Sequence, residues 1–125
     1  MRYAGMDVHK QETEVVILDA AGRIVLRTRL ATSRPALEGF GRKWLGPEVR
    51  VALEATSNTW GVVDVLAPLC AEVVVSNPLR TRAIAKAKVK TDKVDALVLA
   101  QLLRCEYLPP VCRATSQNRV KATPS

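Results

Sequence analysis

The sequence is short of cysteine, histidine and aromatic residues, and it has no long apolar run. Cys70, Cys105 and Cys112 form an odd set without paired spacing, so we expect reduced thiols rather than a disulfide framework or a zinc site. No apolar run approaches the roughly 18 residues that a membrane span requires, and the first residues lack the apolar segment of a secretory signal. The sequence therefore predicts a cytoplasmic protein that does not contact membranes.

Length and apolar content favour one globular domain. The chain has 125 residues, of which 48% are apolar, and Leu, Val and Ala supply most of the core-forming side chains. Its net charge of +7 is concentrated in two segments, residues 80–93 and residues 109–125. A basic stripe attracts phosphate backbones, although a solvated basic face has the same composition. The candidate phosphate contacts in the first segment are Arg80, Arg82, Lys86, Lys88, Lys90 and Lys93.

Hydrophobic periodicity and turn residues predict an α/β domain. The predicted elements are strands at 2–8, 14–20 and 23–31, a helix at 33–46, a strand at 49–56, a helix at 59–71 kinked at Pro68, a strand at 72–78 and a helix at 92–107. Three strands in a meander, followed by alternating helices and strands, indicate a mixed sheet with helices on both faces. The order β-β-β-α-β-α-β-α is that of the ribonuclease-H-like fold, and the actin and sugar-kinase fold opens in the same way.

Four acidic residues fall where this topology makes them informative. Asp7 and Glu54 end the first and fourth strands, which are expected to be parallel neighbours, while Asp92 and Asp95 begin the last helix. If that helix packs across the strand ends, four carboxylates converge, and a hard divalent cation such as Mg²⁺ would offset their repulsion. Two such ions can clamp the attacking and leaving oxygens of a phosphoryl transfer.

A purely structural interpretation of the same acids remains open. Asp92 can be a helix N-cap with Asp95 at the third helical position, and Asp7 can accept hydrogen bonds from backbone amides. His9, the single histidine, is more typical of a surface residue than of a ligand. Lys10 can reach a phosphate or simply be solvated. Trp60 can stack on a base, but a core anchor is the more common role.

Four segments resemble a known family: "GMDVHK", "LEATSNTWG", "VSNPLRTRAIAKAKVKTDKVDALVLAQLL" and "LPPV". They are similar to the N-terminal RuvC-like domain of the DEDD insertion-sequence transposases, DNA recombinases guided by a structured bridge RNA. The resemblance covers residues 3 to about 111. It implies a Mg²⁺ or Mn²⁺ site at four catalytic acids, Mg-dependent DNA cleavage and strand exchange, a guide RNA and a homo-oligomeric full-length protein. The implied catalytic and metal-binding acids are Asp7, Glu54, Asp92 and Asp95. From their charge alone, we predict that Lys10 and the six basic residues of the first segment contact nucleic acid.

The chain departs from that family's pattern after residue 111. Family members continue into a second domain that carries a nucleophilic serine, and neither Ser116 nor Ser125 resembles it. We therefore expect a RuvC-like catalytic domain at 1–108, a disordered basic tail at 109–125, and a truncated copy of the transposase. The alternative is a nucleic-acid-binding remnant that does not cleave. A sugar-kinase-like phosphotransferase is disfavoured because no glycine-rich phosphate loop follows the first strand.

Overall fold

A computed structural model describes residues 1–115 and the backbone of residues 119–120. Each of the five predicted strands is present, with ends displaced by at most two residues. The elements are β1 (Arg2–Val8), β2 (Glu12–Leu18), β3 (Ile24–Ala31), α1 (Arg34–Trp44), β4 (Val49–Glu54), α2 (Thr59–Leu66) with a 3₁₀ turn (Ala67–Leu69), β5 (Glu72–Ser76), α3 (Pro78–Lys88), α4 (Ala96–Arg104), β6 (Pro110–Ala114) and β7 (Arg119–Val120).

The strands form one mixed sheet in the order β3-β2-β1-β4-β5-β6-β7. The chain reverses directly between β2 and β3, where Gly22 takes a φ of 89° and the Asp19 carboxylate accepts hydrogen bonds from two turn amides. In contrast, β4 and β5 each follow a helix, and β1, β4 and β5 are consecutive parallel neighbours. The predicted parallel pairing of the first and fourth strands is therefore confirmed.

Helices cover both faces of the sheet. On one face α1 and α2 bury Leu37, Val62 and Leu66 against the sheet. On the other face α4 buries Leu99 and Leu102 in the same cluster as residues of β4 and β5. These two layers bury mainly Leu, Val and Ala, the residue types expected to form the core. They bring the start of α4 to the carboxyl ends of the central strands.

Helix α4 lies unusually close to β1. A Cβ atom built on Gly5 would sit 2.0 Å from the Ala96 carbonyl oxygen and 2.6 Å from the Ala100 amide nitrogen. Real side chains never approach a backbone this closely, so only glycine permits the contact. Because Gly5 lies beneath Ala96, the first turn of α4 is placed beside the end of β1.

The predicted last helix is shorter than expected. It begins at Ala96, not at residue 92, because Asp95 is its N-cap and accepts a hydrogen bond from the Val98 amide at 3.0 Å. It ends at Arg104 rather than at residue 107. Asp92 therefore lies in the connecting loop, and the prediction that it begins the last helix is wrong.

Helix α3 was not predicted. Asn77 caps it by accepting a hydrogen bond from the Arg80 amide, and Pro78 occupies its first turn. Only the small residues Thr81 and Ala85 are buried along it. Without large apolar residues at helical spacing, the basic segment gave no periodic signal.

The C-terminal segment is ordered further than predicted. Residues 110–114 form β6, which pairs antiparallel with β5 and buries Cys112 and Ala114. The prediction of a disordered tail is wrong for these five residues, whose alternation of buried and half-exposed positions is that of a strand. The rest of the predicted tail lies outside the described residues, apart from residue 115 and the short β7. Within the described part of the chain, no helix has the length and apolarity to cross a membrane.

Candidate metal and nucleic-acid site

Asp7 and Glu54 come together at the carboxyl edge of the sheet. The parallel ladder pairs Gly5 with Ala52, and each acid follows two residues later on its own strand. Because side chains along a strand alternate with a period of two, both acids project to the face that carries α4. The topology thus juxtaposes two carboxylates that are 47 positions apart in the sequence.

The pKa of Glu54 is affected by the nearby Asp7. Burial raises the pKa of the half-buried Glu54 carboxyl, the Asp7 carboxylate raises it further, and the Arg82 guanidinium opposes both effects. Asp7 is itself partly buried, and its Oδ2 lies 3.1 Å from Nε2 of the exposed His9. The edge therefore holds two carboxylates that repel each other, with one cation of α3 close by.

The other two predicted acids occupy different positions. Asp95 stands at the start of α4 and uses Oδ1 to cap the helix, so its second oxygen takes no part in the cap. Asp92 is exposed in the loop before α4, with Oδ1 4.0 Å from Lys86 Nζ. Among the residues described, no three His, Cys, Asp or Glu side chains are grouped to hold a metal ion. The four-carboxylate site stays a prediction; of its four acids, Asp7 and Glu54 end adjacent strands.

The predicted nucleic-acid contacts are all exposed. Lys10 follows β1, whereas Arg80, Arg82, Lys86 and Lys88 lie on α3. Lys90 and Lys93 lie in the loop between α3 and α4. Arg82 is the member that acts electrostatically on Glu54. Lys86 lies near Asp92, and Lys88 Nζ sits 5.2 Å from the centre of the Tyr107 ring. One basic surface, α3 with the loop that follows it, thus borders the acidic edge.

Sequence and structure comparisons now identify the family. A family model described as a transposase, of the DEDD insertion-sequence type (IS110), matches residues 4–119. The chain belongs to this transposase family. Membership agrees with the resemblance carried by the motifs around Asp7, Glu54 and Asp95, and it places the domain among proteins of DNA recombination. The search of curated proteins gave no match to this transposase domain.

Two solved structures share the fold of the transposase domain. The structure of Thermus thermophilus RuvC has 12% sequence identity and a TM-score of 0.60. T. thermophilus RuvC in complex with a Holliday junction substrate has 17% identity and a TM-score of 0.59. Each comparison covers 88% of this chain and 99% of the other. The predicted fold is confirmed as RuvC-like, and therefore ribonuclease-H-like.

The donor set at the acidic edge of the transposase domain fits a hard divalent cation. Mg²⁺ prefers oxygen ligands, keeps several waters, and is commonly bound through one or two carboxylates. Asp7 and Glu54 offer such a pair. Burial raises the pKa of Glu54 most and the Asp7 carboxylate raises it further, and a cation would offset both effects. A site built on two carboxylates needs no histidine or cysteine ligand.

Thr59 supports the acidic edge, and sequence reasoning missed it. Its buried hydroxyl donates to the Glu54 carbonyl at 2.6 Å and accepts from the Thr56 amide at 2.8 Å. These bonds fix the backbone where β4 ends and α2 begins. The Thr-x-x-Thr spacing is the available signal in the sequence. Asn58, which directly precedes α2, makes no side-chain capping bond. Trp60 is 46% exposed, so its expected role as a core anchor is wrong.

Proposed function

We propose that this domain performs metal-dependent cleavage and transfer of DNA strands, with Asp7 and Glu54 at the centre of its site. The observation that carries the proposal is the pair of mutually repelling carboxylates at the ends of adjacent parallel strands, with an exposed basic helix beside them. Membership of a transposase family supports DNA as the substrate.

Asp7 and Glu54 would hold Mg²⁺, for which Mn²⁺ can substitute, and Asp95 would add the carboxylate oxygen that its helix cap does not use. When bound, the metal would activate the attacking oxygen and stabilise the leaving oxygen of a phosphoryl transfer. Thr59 keeps the end of β4 in position through the Glu54 carbonyl. Asp92 joins the set only if the loop before α4 moves away from Lys86.

The basic surface would hold the phosphate backbone. Arg82 is placed to contact a phosphate close to Glu54, and the remaining cations extend that contact along α3 and the following loop. Contacts of this kind give affinity and register rather than sequence choice. We assign sequence choice to a structured guide RNA, and strand exchange to a homo-oligomer, as the family resemblance implies.

Binding of nucleic acid without cleavage is the second candidate function. One specific observation favours it: Asp92 lies on the exposed loop near Lys86, and no three-acid group forms within residues 1–115. A domain of this kind would bind polynucleotides through the basic surface and lose affinity steeply as salt increases.

Nicking of supercoiled plasmid DNA in Mg²⁺ or Mn²⁺ separates the two candidates. We expect the chain to nick the plasmid, and Asp7→Asn or Glu54→Gln to reduce the rate by about 100-fold or more, because metal binding contributes several kcal/mol to the transition state. Glu48→Gln, at an exposed position away from the edge, is the matched control. A folded wild-type chain that binds DNA but does not nick it supports the second candidate.

A further inference from the structure

A basic groove lies at the opposite end of α4 from the acidic edge. It encloses about 330 Å³ between the C-terminal ends of α3 and α4, lined by Lys88, Gln101, Leu102, Arg104 and Tyr107 among others. The first α4 residue in its lining, Gln101, lies six residues after Asp95, so at about 1.5 Å per residue the groove begins roughly 9 Å along the helix from the acidic edge. It is therefore separate from the site of Asp7 and Glu54.

The groove carries positive charge with no acid in its lining. Lys88 and Arg104 contribute the two cations. Glu106 lies next to the groove in sequence but is hydrogen-bonded to Arg50, on the side facing β4. Cations in the last turn of a helix suit the helix dipole, which explains why basic residues occur here. The dipole does not explain why the groove also contains a guanidinium without an ion pair and an exposed aromatic ring.

Arg104 is a guanidinium without an anionic partner. Its Cζ lies so close to the β2–β3 turn that a Cβ on Gly22 would be 3.0 Å away, and its Nε is buried without a hydrogen-bond partner. No acid within the described residues forms an ion pair with it. A guanidinium that lines a groove without forming an ion pair favours an anionic ligand there.

Tyr107 supplies an exposed aromatic face in the same groove. The ring is 45% exposed, and Lys88 Nζ lies 5.2 Å from its centre. Val89 and Leu102 add apolar surface next to it. An aromatic ring flanked by cations is the combination that binds an unpaired nucleotide, with the base stacked on the ring and the phosphate held by the cations.

We propose that this groove binds an unpaired nucleotide of a polynucleotide, with its phosphate between Lys88 and Arg104 and its base on Tyr107. The choice of a polynucleotide over a free anion rests on the proposed function. A displaced DNA strand and a guide RNA both present this chemistry. The groove would then hold a single strand on the α4 face while the acidic edge acts elsewhere on the nucleic acid.

Fluorescence anisotropy with dye-labelled 12-nucleotide oligo-dT and oligo-U tests the groove in EDTA, where metal binding makes no contribution. We expect Tyr107→Leu to weaken binding about tenfold, as loss of one stacked base does. Lys88→Gln should weaken it more than Lys43→Gln, which removes a lysine 6.0 Å from the Trp44 ring on α1. Melting curves verify that each variant is folded. Tighter binding of oligo-U assigns the groove to RNA, and tighter binding of oligo-dT assigns it to a DNA strand.

Three results would overturn the inference. Binding of single strands that Tyr107→Leu leaves unchanged, equal effects of Lys88→Gln and Lys43→Gln, or an equal loss of affinity by Tyr107→Leu for a blunt duplex of the same length would each show that the groove does not take an unpaired nucleotide. These results leave the metal-dependent cleavage proposed for Asp7 and Glu54 standing, because it depends on the acidic edge. Failure of the wild-type chain to bind any polynucleotide would contradict both proposals.

Discussion

At the scale of single residues, Glu54 links stability to pH. Burial is the first cause of its raised pKa, the Asp7 carboxylate is the second, and Arg82 acts in the opposite direction. A raised native pKa means that the folded state binds more protons than the unfolded state just above the ordinary value of 4.5. The contribution of Glu54 to the free energy of unfolding therefore falls as pH rises through that window.

Glu54→Gln should stabilise the metal-free protein at pH 7.5, because the substitution removes an ionised carboxylate from beside Asp7. Water screens a partly exposed group, so we expect a modest increase of about 3 °C in melting temperature. The increase should shrink at pH 4.5, where the wild-type side chain is more protonated. Thermal melts in EDTA at both pH values measure it, with Glu48→Gln as the control. An equal or lower melting temperature for the variant at pH 7.5 would show that Glu54 is not under repulsion.

Asp95 combines a helix cap with a candidate metal ligand, and two substitutions separate these roles. Asp95→Ala removes the bond to the Val98 amide and should cost about 1 kcal/mol of stability. Asp95→Asn keeps a capping oxygen, so it should cost much less while still removing the charge. Urea denaturation measures both. Equal destabilisation by the two variants would mean that the carboxylate charge, rather than the cap, stabilises α4.

The acids at the strand ends could be predicted from the sequence, because topology alone brings Asp7 and Glu54 together. The position of Asp92 could not. Its placement depends on which of two nearby aspartates caps α4, and both sequence contexts favour capping. In the structure Asp95 is the cap, and α4 packs on Gly5 from its first residue, a tertiary contact that no local pattern records.

At the scale of secondary-structure elements, α4 is held at a spacing that only Gly5 allows. Gly5→Ala should force α4 away from β1 and cost about 1–3 kcal/mol, as overpacking does. Gly39 lies on α1 with open space around it, so Gly39→Ala should instead stabilise the protein by about 0.5–1 kcal/mol. Urea denaturation of both variants measures the difference. A neutral Gly5→Ala variant would contradict the close approach of α4 to β1.

Strands β1 to β5 were predictable because alternating apolar and polar residues, or runs of apolar residues, indicate which side chains are buried. Helix α3 and strand β6 were not predicted from the sequence. Helix α3 buries only Thr81 and Ala85, and β6 is a short strand whose buried side chains, Cys112 and Ala114, are small. Both elements depend on the neighbouring sheet for their apolar contacts, so their own residues carry a weak signal.

At the scale of the whole molecule, the reactivity of the three thiols tests whether β6 pairs with β5. Cys70 and Cys112 are buried and Cys105 is exposed. Burial raises the pKa of Cys70 to about 12 and also raises the pKa of Cys112. Both thiols should therefore be poor nucleophiles in the folded protein.

A disulfide-exchange reagent should modify one thiol rapidly in the native protein and all three in guanidinium chloride. Cys105→Ser should abolish the rapid phase. Rapid modification of a second thiol in the Cys105→Ser variant, identified as Cys112 by mass spectrometry, would mean that residues 110–114 do not pair with β5.

The molecule separates its charges along α4, with the acidic edge at one end and the basic groove at the other. The central claim is that the acidic edge holds a divalent cation through Asp7 and Glu54. Calorimetric titration of Mn²⁺ tests it most directly, on the wild type, Asp7→Asn, Glu54→Gln and the Glu48→Gln control. We predict binding by the wild type and the control, with affinity reduced by about tenfold or more in the other two variants. Equal binding by all four proteins, or no binding by a folded wild type, would contradict the claim.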